Sequence, residues 1–143
     1  GISPELTLHI LSDLMLLKND DDISSATIDL LCLNMFSGET RIFKCGAAPS
    51  YIKKGSSVRK LSPGASFSLS SSSPKLKLLP GTFAVMVSDG VITGGDKWLR
   101  DTISSYQGND PKELAKSIIT NAKEMSDGTD DITVITIKTD ERP

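Results

Sequence analysis

Two stretches of this sequence put carboxylates where a hard cation could be held. The first is Gly81 to Gly90, G-T-F-A-V-M-V-S-D-G, an apolar β-rich run that stops at Ser88-Asp89-Gly90. Such a run reads as a strand covered on both faces, with Pro80-Gly81 marking its start. Asp89 then stands at the strand's end, beside a Gly that lets other backbone come close. The second is Asp130-Asp131, between the polar turn Gly128-Thr129 and a last apolar strand, Ile132 to Ile137. Hard divalent cations take oxygen ligands, so a carboxylate at the end of a central strand suits one. If the two strands are neighbours, Asp89 and Asp130 can face one another.

No rival chemistry is assembled. The chain has one histidine, His9, and two cysteines, Cys32 and Cys45, which is too few for a zinc ligand set. No Ser/His or Cys/His constellation offers an activated nucleophile. His9 is expected at the surface or its boundary. The acid run Asp20-Asp21-Asp22 reads as a solvated loop, because nothing fixes the spacing of its carboxylates.

The positioning elements follow from pattern. Ser3-Pro4-Glu5 is a helix-start signal, with Leu6, Ile10, Leu14 and Leu17 as the apolar stripe of a helix of about 15 residues. Ala26 to Phe36 is expected as a long strand, with Thr40 to Cys45 as its hairpin partner across Ser37-Gly38-Glu39. In that register Phe36 faces Arg41, Asn34 faces Phe43 and Cys32 faces Cys45, the two thiols reduced and buried. A second hairpin, Tyr51 to Lys54 and Val58 to Leu61, turns at Gly55-Ser56. Its Lys53, Lys54, Arg59 and Lys60 are expected as a solvated rim. Ser62 to Pro74 is Ser-rich and reads as a loop, and Lys75 to Leu79 as a further strand. Helices are expected near Asp96 to Tyr106 and from Asp110-Pro111-Lys112-Glu113, a capping-box start whose apolar face is Leu114, Ala115, Ile118, Ile119, Ala122 and Met125.

Composition bounds the reading. The 143 residues, 38% hydrophobic and 24% charged, suit one globular domain with a sizeable core, and runs of strands followed by paired helices, with one helix in front, indicate an α+β sandwich. The net charge of −2 supplies no basic field for nucleic acid. No apolar run approaches the ~20 residues that span a bilayer, and the first residues lack a signal-peptide pattern, so a cytoplasmic segment is expected.

The order of these motifs resembles the metal-dependent protein phosphatase (protein phosphatase 2C) family, in its bacterial branch typified by sporulation stage II protein E. Ser88-Asp89-Gly90 after an apolar strand and Asp130-Asp131-Ile132-Thr133-Val134 at the last strand, separated by two helices, are similar to that family's late metal motifs. Ala26-Thr27 opening a strand, the break at Gly46 to Pro49 before Tyr51-Ile52-Lys53, and Pro80-Gly81 also fall where that branch has equivalents. The resemblance implies two stacked, mostly antiparallel sheets flanked by helices, with Mn²⁺ or Mg²⁺ ions at one end. It implies that Asp89 and Asp130 are the catalytic metal ligands and that Asp131 orients a ligand or a bound water. The implied reaction is hydrolysis of phosphoserine or phosphothreonine by a metal-activated water.

The family's early D-G-M-G-like motif has no match in residues 1 to 80, since Asp13, Asp20 to Asp22 and Asp29 lack adjacent glycines. The expectation is therefore one domain over residues 1 to 143, the C-terminal portion of an N-terminally truncated phosphatase domain, with little or no activity alone. The implied partner is a phosphorylated regulatory protein, an antagonist of an anti-sigma factor. The full-length protein is compatible with a membrane anchor and a homodimer. A phosphatase-like module that has lost catalysis and binds a partner protein is the alternative, and an upstream Asp-Gly motif would separate the two.

Overall fold

The computed structural model describes residues 3, 6–7, 9–10, 27–62, 75–125 and 130–141. These form seven strands in two antiparallel sheets and two helices between the last two strands, and residues 6–7 and 9–10 are helical besides. The first sheet has the order β1-β2-β5, from Ile28–Leu33 (β1), Glu39–Cys45 (β2) and Lys75–Lys77 (β5). The second has the order β4-β3-β6-β7, from Ser50–Lys54 (β3), Ser57–Leu61 (β4), Thr82–Val87 (β6) and Val134–Lys138 (β7). The helices are Lys97–Ser105 (α1) and Pro111–Met125 (α2).

Strand β6 is central and buried along its whole length, as its continuous apolar pattern predicts. Alternation sends Phe83, Val85 and Val87 into one buried cluster with Leu99 and Ile103 of α1 and Leu114, Ile118 and Ala122 of α2. The other set, Thr82, Ala84 and Met86, points to the opposite face of the strand and is buried as well. The helices are tied to the sheet at their ends. Asp110 Oδ1 accepts the Lys112 N–H at 2.8 Å as the expected cap, and Thr136 Oγ1 of β7 donates to the Pro111 carbonyl at 2.7 Å.

Several expectations are corrected. Strand β1 ends at Leu33 rather than Phe36, because Asn34 takes the chain into a turn. Its Oδ1 accepts the N–H groups of Phe36 (2.8 Å) and Ser37 (3.1 Å), and Gly38 follows at φ +72°. A Cβ on Gly38 would also stand 2.5 Å from the Leu78 carbonyl oxygen. This turn shifts the hairpin register: Leu33 faces Thr40, Cys32 faces Arg41 and Ile28 faces Cys45. Cys32 and Cys45 are therefore not cross-strand partners, and Cys32 is half-buried. Met35 and Phe36 stand exposed at the hairpin tip.

The basic rim is divided. Lys53 is buried, and its Nζ donates to the Gly55 and Ser104 carbonyls, pinning the β3–β4 turn to the last turn of α1. Lys54, Arg59 and Lys60 are exposed, as expected, and Lys60 also makes an ion pair described below. The last strand begins at Val134, two residues later than its apolar pattern suggested. Ser3 Oγ accepts the Leu6 N–H at 3.2 Å, as a cap should, but Leu6 and Ile10 are exposed, so the apolar stripe is not buried there. His9 is exposed. Leu14, Leu17, the acid run at 20–22 and most of the Ser-rich loop lie outside the described residues.

Candidate metal centre

Strand β6 delivers Asp89 and the β6–β7 pairing delivers the second acid stretch. The ladder ends at Val87 opposite Val134, and one further bond, Ser88 N–H to the Thr133 carbonyl at 3.0 Å, carries the pairing past the strand end. Asp89–Val91 then turns as a short 3₁₀ segment, held by Val91 N–H to the Ser88 carbonyl (3.1 Å) and Ile92 N–H to the Asp89 carbonyl (2.8 Å). Asp89 is exposed while Gly90 and Val91 are buried, so the turn presents the acid on the rim and roots itself in the core.

Gly90 is where the two acid stretches meet. A Cβ there would stand 2.5 Å from the Asp131 carbonyl oxygen and 3.3 Å from the Asp130 Cβ, a space backbone can fill only if residue 90 has no side chain. The Gly after the first acid thus permits the close approach that its type suggested. The Ser88 hydroxyl adds a bridge that its sequence position did not reveal. It donates to the Asp131 carbonyl at 3.0 Å and accepts the Thr133 N–H at 2.9 Å. The Asp131 N–H is in turn accepted by Asp130 Oδ1 at 2.8 Å. Asp130 and Asp131 are both exposed on the same rim.

This donor set suits a hard cation in kind, since it is all oxygen and opens to solvent, and the Gly90 cradle keeps its two halves together. It is short in number. Among the described residues no group of three or more His, Cys, Asp or Glu side chains lies close enough to hold a metal ion.

The loop beyond the turn is anchored by Asp96, a residue the sequence marked only as the start of a helix. Asp96 precedes α1, yet its carboxylate makes no capping bond to that helix. Oδ2 instead accepts the buried Tyr51 hydroxyl at 3.0 Å and pairs with Lys60 Nζ at 2.6 Å, while Arg100 Nε lies 3.7 Å from Oδ1. The Lys60 bond, with the Tyr51 bond and nearby positive charge, holds the Asp96 carboxyl below its ordinary value despite burial. Burial first, and the Asp96 bond second, push the Tyr51 phenol well above its own. The segment from Asp89 to Asp96 is thereby fixed at both ends, at Ser88 by Asp131 and Thr133 and at Asp96 by β3 and β4. No helix among the described residues is long and apolar enough to cross a membrane.

Comparison with known proteins agrees with this architecture. The family model described as Stage II sporulation protein E (SpoIIE) matches residues 1–140. The chain is 26% identical to Stage II sporulation protein E of Bacillus subtilis (strain 168), an alignment covering 98% of this chain and 18% of that protein, so the chain spans under a fifth of that relative's length. Among solved structures it resembles the PP2C phosphatase domain with a fragment of the regulatory domain of SpoIIE from Bacillus subtilis. That match has a TM-score of 0.82 at 24% identity and covers 98% of this chain and 44% of the other. It also resembles the Mn-presoaked SpoIIE phosphatase domain, with a TM-score of 0.76 at 25% identity, covering 100% and 69%. The two antiparallel sheets and their paired helices are the PP2C phosphatase fold of those structures. On the match across nearly its whole length, this chain belongs to the Stage II sporulation protein E (SpoIIE) family.

Proposed function

We propose that this chain is the later portion of a metal-dependent protein serine/threonine phosphatase domain, acting on a phosphorylated regulatory protein of the kind that antagonises an anti-sigma factor during sporulation. The observation that carries the reading is the Gly90 cradle, which seats the backbone of Asp130 and Asp131 against the turn that presents Asp89. Asp89 and Asp130 would hold Mn²⁺ or Mg²⁺, and Asp131 would orient a ligand or a water. Family membership and the Mn-presoaked relative support this choice of metal. Bound ions of this type supply the charge that makes water acidic and neutralises phosphoryl oxygens. The chain's own contribution is to hold two carboxylates at one solvent-facing rim and to keep their carriers from separating through Ser88. Acting on regulators inside the cell, the domain works in the cytoplasm.

Two carboxylates with water completing the shell hold a hard cation loosely, so turnover by this chain alone is slow or absent. The alternative is a phosphatase-like module that binds a partner without catalysis. Hydrolysis of a phosphoserine protein with Mn²⁺, measured for this chain and for the full-length protein, separates them. The phosphatase reading expects metal-dependent turnover in the full-length protein that is abolished by Asp89→Asn and by Asp130→Asn. Equal turnover with Asn at both positions overturns the assignment of these residues, and no turnover in the full-length protein favours the binding module.

A further inference from the structure

A buried ion pair in the first sheet takes no part in the site as described. Asp29 and Lys44 are direct partners in the β1–β2 ladder, with Lys44 Nζ 2.5 Å from Asp29 Oδ2. The Lys44 side chain is only 5% exposed and that of Asp29 17%. Burial pulls the Lys44 ammonium below its ordinary value, and the bond and charge of Asp29 oppose the shift.

The pair is poorly explained as a source of stability. Asp29 Oδ1 is buried and accepts no hydrogen bond among the described residues. Removing two charges from water is expensive, and apolar replacement of such a pair is often neutral or stabilising. What the pair does provide is reach. Lys44 Nζ also donates to the Ala48 carbonyl at 2.6 Å, and the Ser50 hydroxyl approaches Asp29 Oδ2 at 3.4 Å.

Those contacts fall on the corner Gly46 to Pro49, which takes the chain from β2 in the first sheet to β3 in the second. Ser50 opens β3 opposite Met86, three residues before Asp89. Ala48 belongs to the same buried cluster as Val87 and Val91, the residues on either side of the Asp89-Gly90 turn. The corner therefore lies at the end of the second sheet from which β6 presents its acid.

We propose that Lys44 and Asp29 are a positioning pair that sets the Gly46–Pro49 corner and, through it, the seat of the Asp89–Val91 turn. As far as metal is concerned, this rests on the reading of Asp89 as a ligand.

The test is the double variant Lys44→Met with Asp29→Leu, compared with the unmodified chain by three measurements: urea midpoint, amide exchange at Val91 and Ile92, and Mn²⁺ binding followed by titration. The expected result is a midpoint equal or higher, with faster exchange at those two amides, whose bonds define the turn. Mn²⁺ affinity should fall about 10-fold to 100-fold, as when a support behind a ligand is lost. A purely structural pair would lower the midpoint and leave these local readouts alone. An unchanged exchange rate at Val91 and Ile92 overturns the proposal. If the double variant loses its cooperative transition, Asp29→Asn is read in its place by the same exchange measurement. It keeps the volume while removing the counter-charge that holds Lys44, and faster or unchanged exchange supports or overturns the pair as before. Absence of Mn²⁺ binding in every form, including the full-length protein, would defeat the metal reading, while the exchange result still decides the positioning role.

Discussion

Ser88 and Thr133 grip each other twice: the Ser88 N–H donates to the Thr133 carbonyl at 3.0 Å, and the Thr133 N–H donates to the Ser88 hydroxyl at 2.9 Å. The same hydroxyl donates to the Asp131 carbonyl, so one small side chain ties the end of β6 to the stretch that carries Asp130 and Asp131. Ser88→Ala removes both side-chain bonds and should lower stability by about 1 to 2 kcal/mol. Mn²⁺ binding should weaken with it, and Ser88→Thr, which keeps the hydroxyl, should recover most of both. Urea melts and metal titration of the two variants check this. Full Mn²⁺ affinity in Ser88→Ala would show that the clamp does not set the acids' relation.

Gly90→Ala tests the meeting point directly. The new methyl would lie 2.5 Å from a backbone oxygen, so the Asp130–Asp131 segment has to move rather than a flexible side chain. A loss of about 1 to 3 kcal/mol is expected from the overpacking, together with loss of Mn²⁺ binding. Amide shifts of residues 130 to 133 should change most, and an unperturbed spectrum there would contradict the contact.

Asp96 should give the protein an acid-sensitive limb. Its carboxyl is held below its ordinary 3.8 mainly by the Lys60 bond, so the stabilisation is complete above pH about 4 and is lost as pH falls through the lower folded value. Asp96→Asn should reduce stability at neutral pH by about 1 to 2 kcal/mol and should flatten the decline on acidification. Urea midpoints of both proteins across the acid range measure it. Parallel pH profiles would assign the decline to other groups.

Val85 is fully buried at the middle of β6, against both helices. Val85→Ala should lose about 1 to 3 kcal/mol through lost burial and the cavity left behind. An unmoved denaturant midpoint would mean that the site relaxes without penalty.

The strongest local signals in the sequence became elements of the fold. The unbroken apolar run from Phe83 to Val87 specifies burial on both faces whatever its neighbours are, and Asp110-Pro111 starts a helix through bonds made within a few residues. Asp89, Gly90 and Asp130 were likewise legible as residue types suited to an oxygen-ligand site. That Gly90 meets the Asp130–Asp131 stretch depends on β7 pairing beside β6 in one register, a contact between residues far apart in the chain. Side-chain bonds decided other points against the pattern. Asn34 captured two N–H groups and ended β1 early, which moved the whole hairpin register and parted Cys32 from Cys45. Lys53 and Lys60 looked like a solvated rim because charge favours water. Tertiary packing instead buried Lys53 and gave it carbonyl acceptors at the end of α1, which offset its loss of hydration, while Lys60 stays exposed and adds an ion pair with Asp96. Asp29 and Lys44 make the same point, since neither pattern nor propensity marks a charge pair for burial, and its partners at Ala48 and Ser50 come from the corner and strand that follow β2.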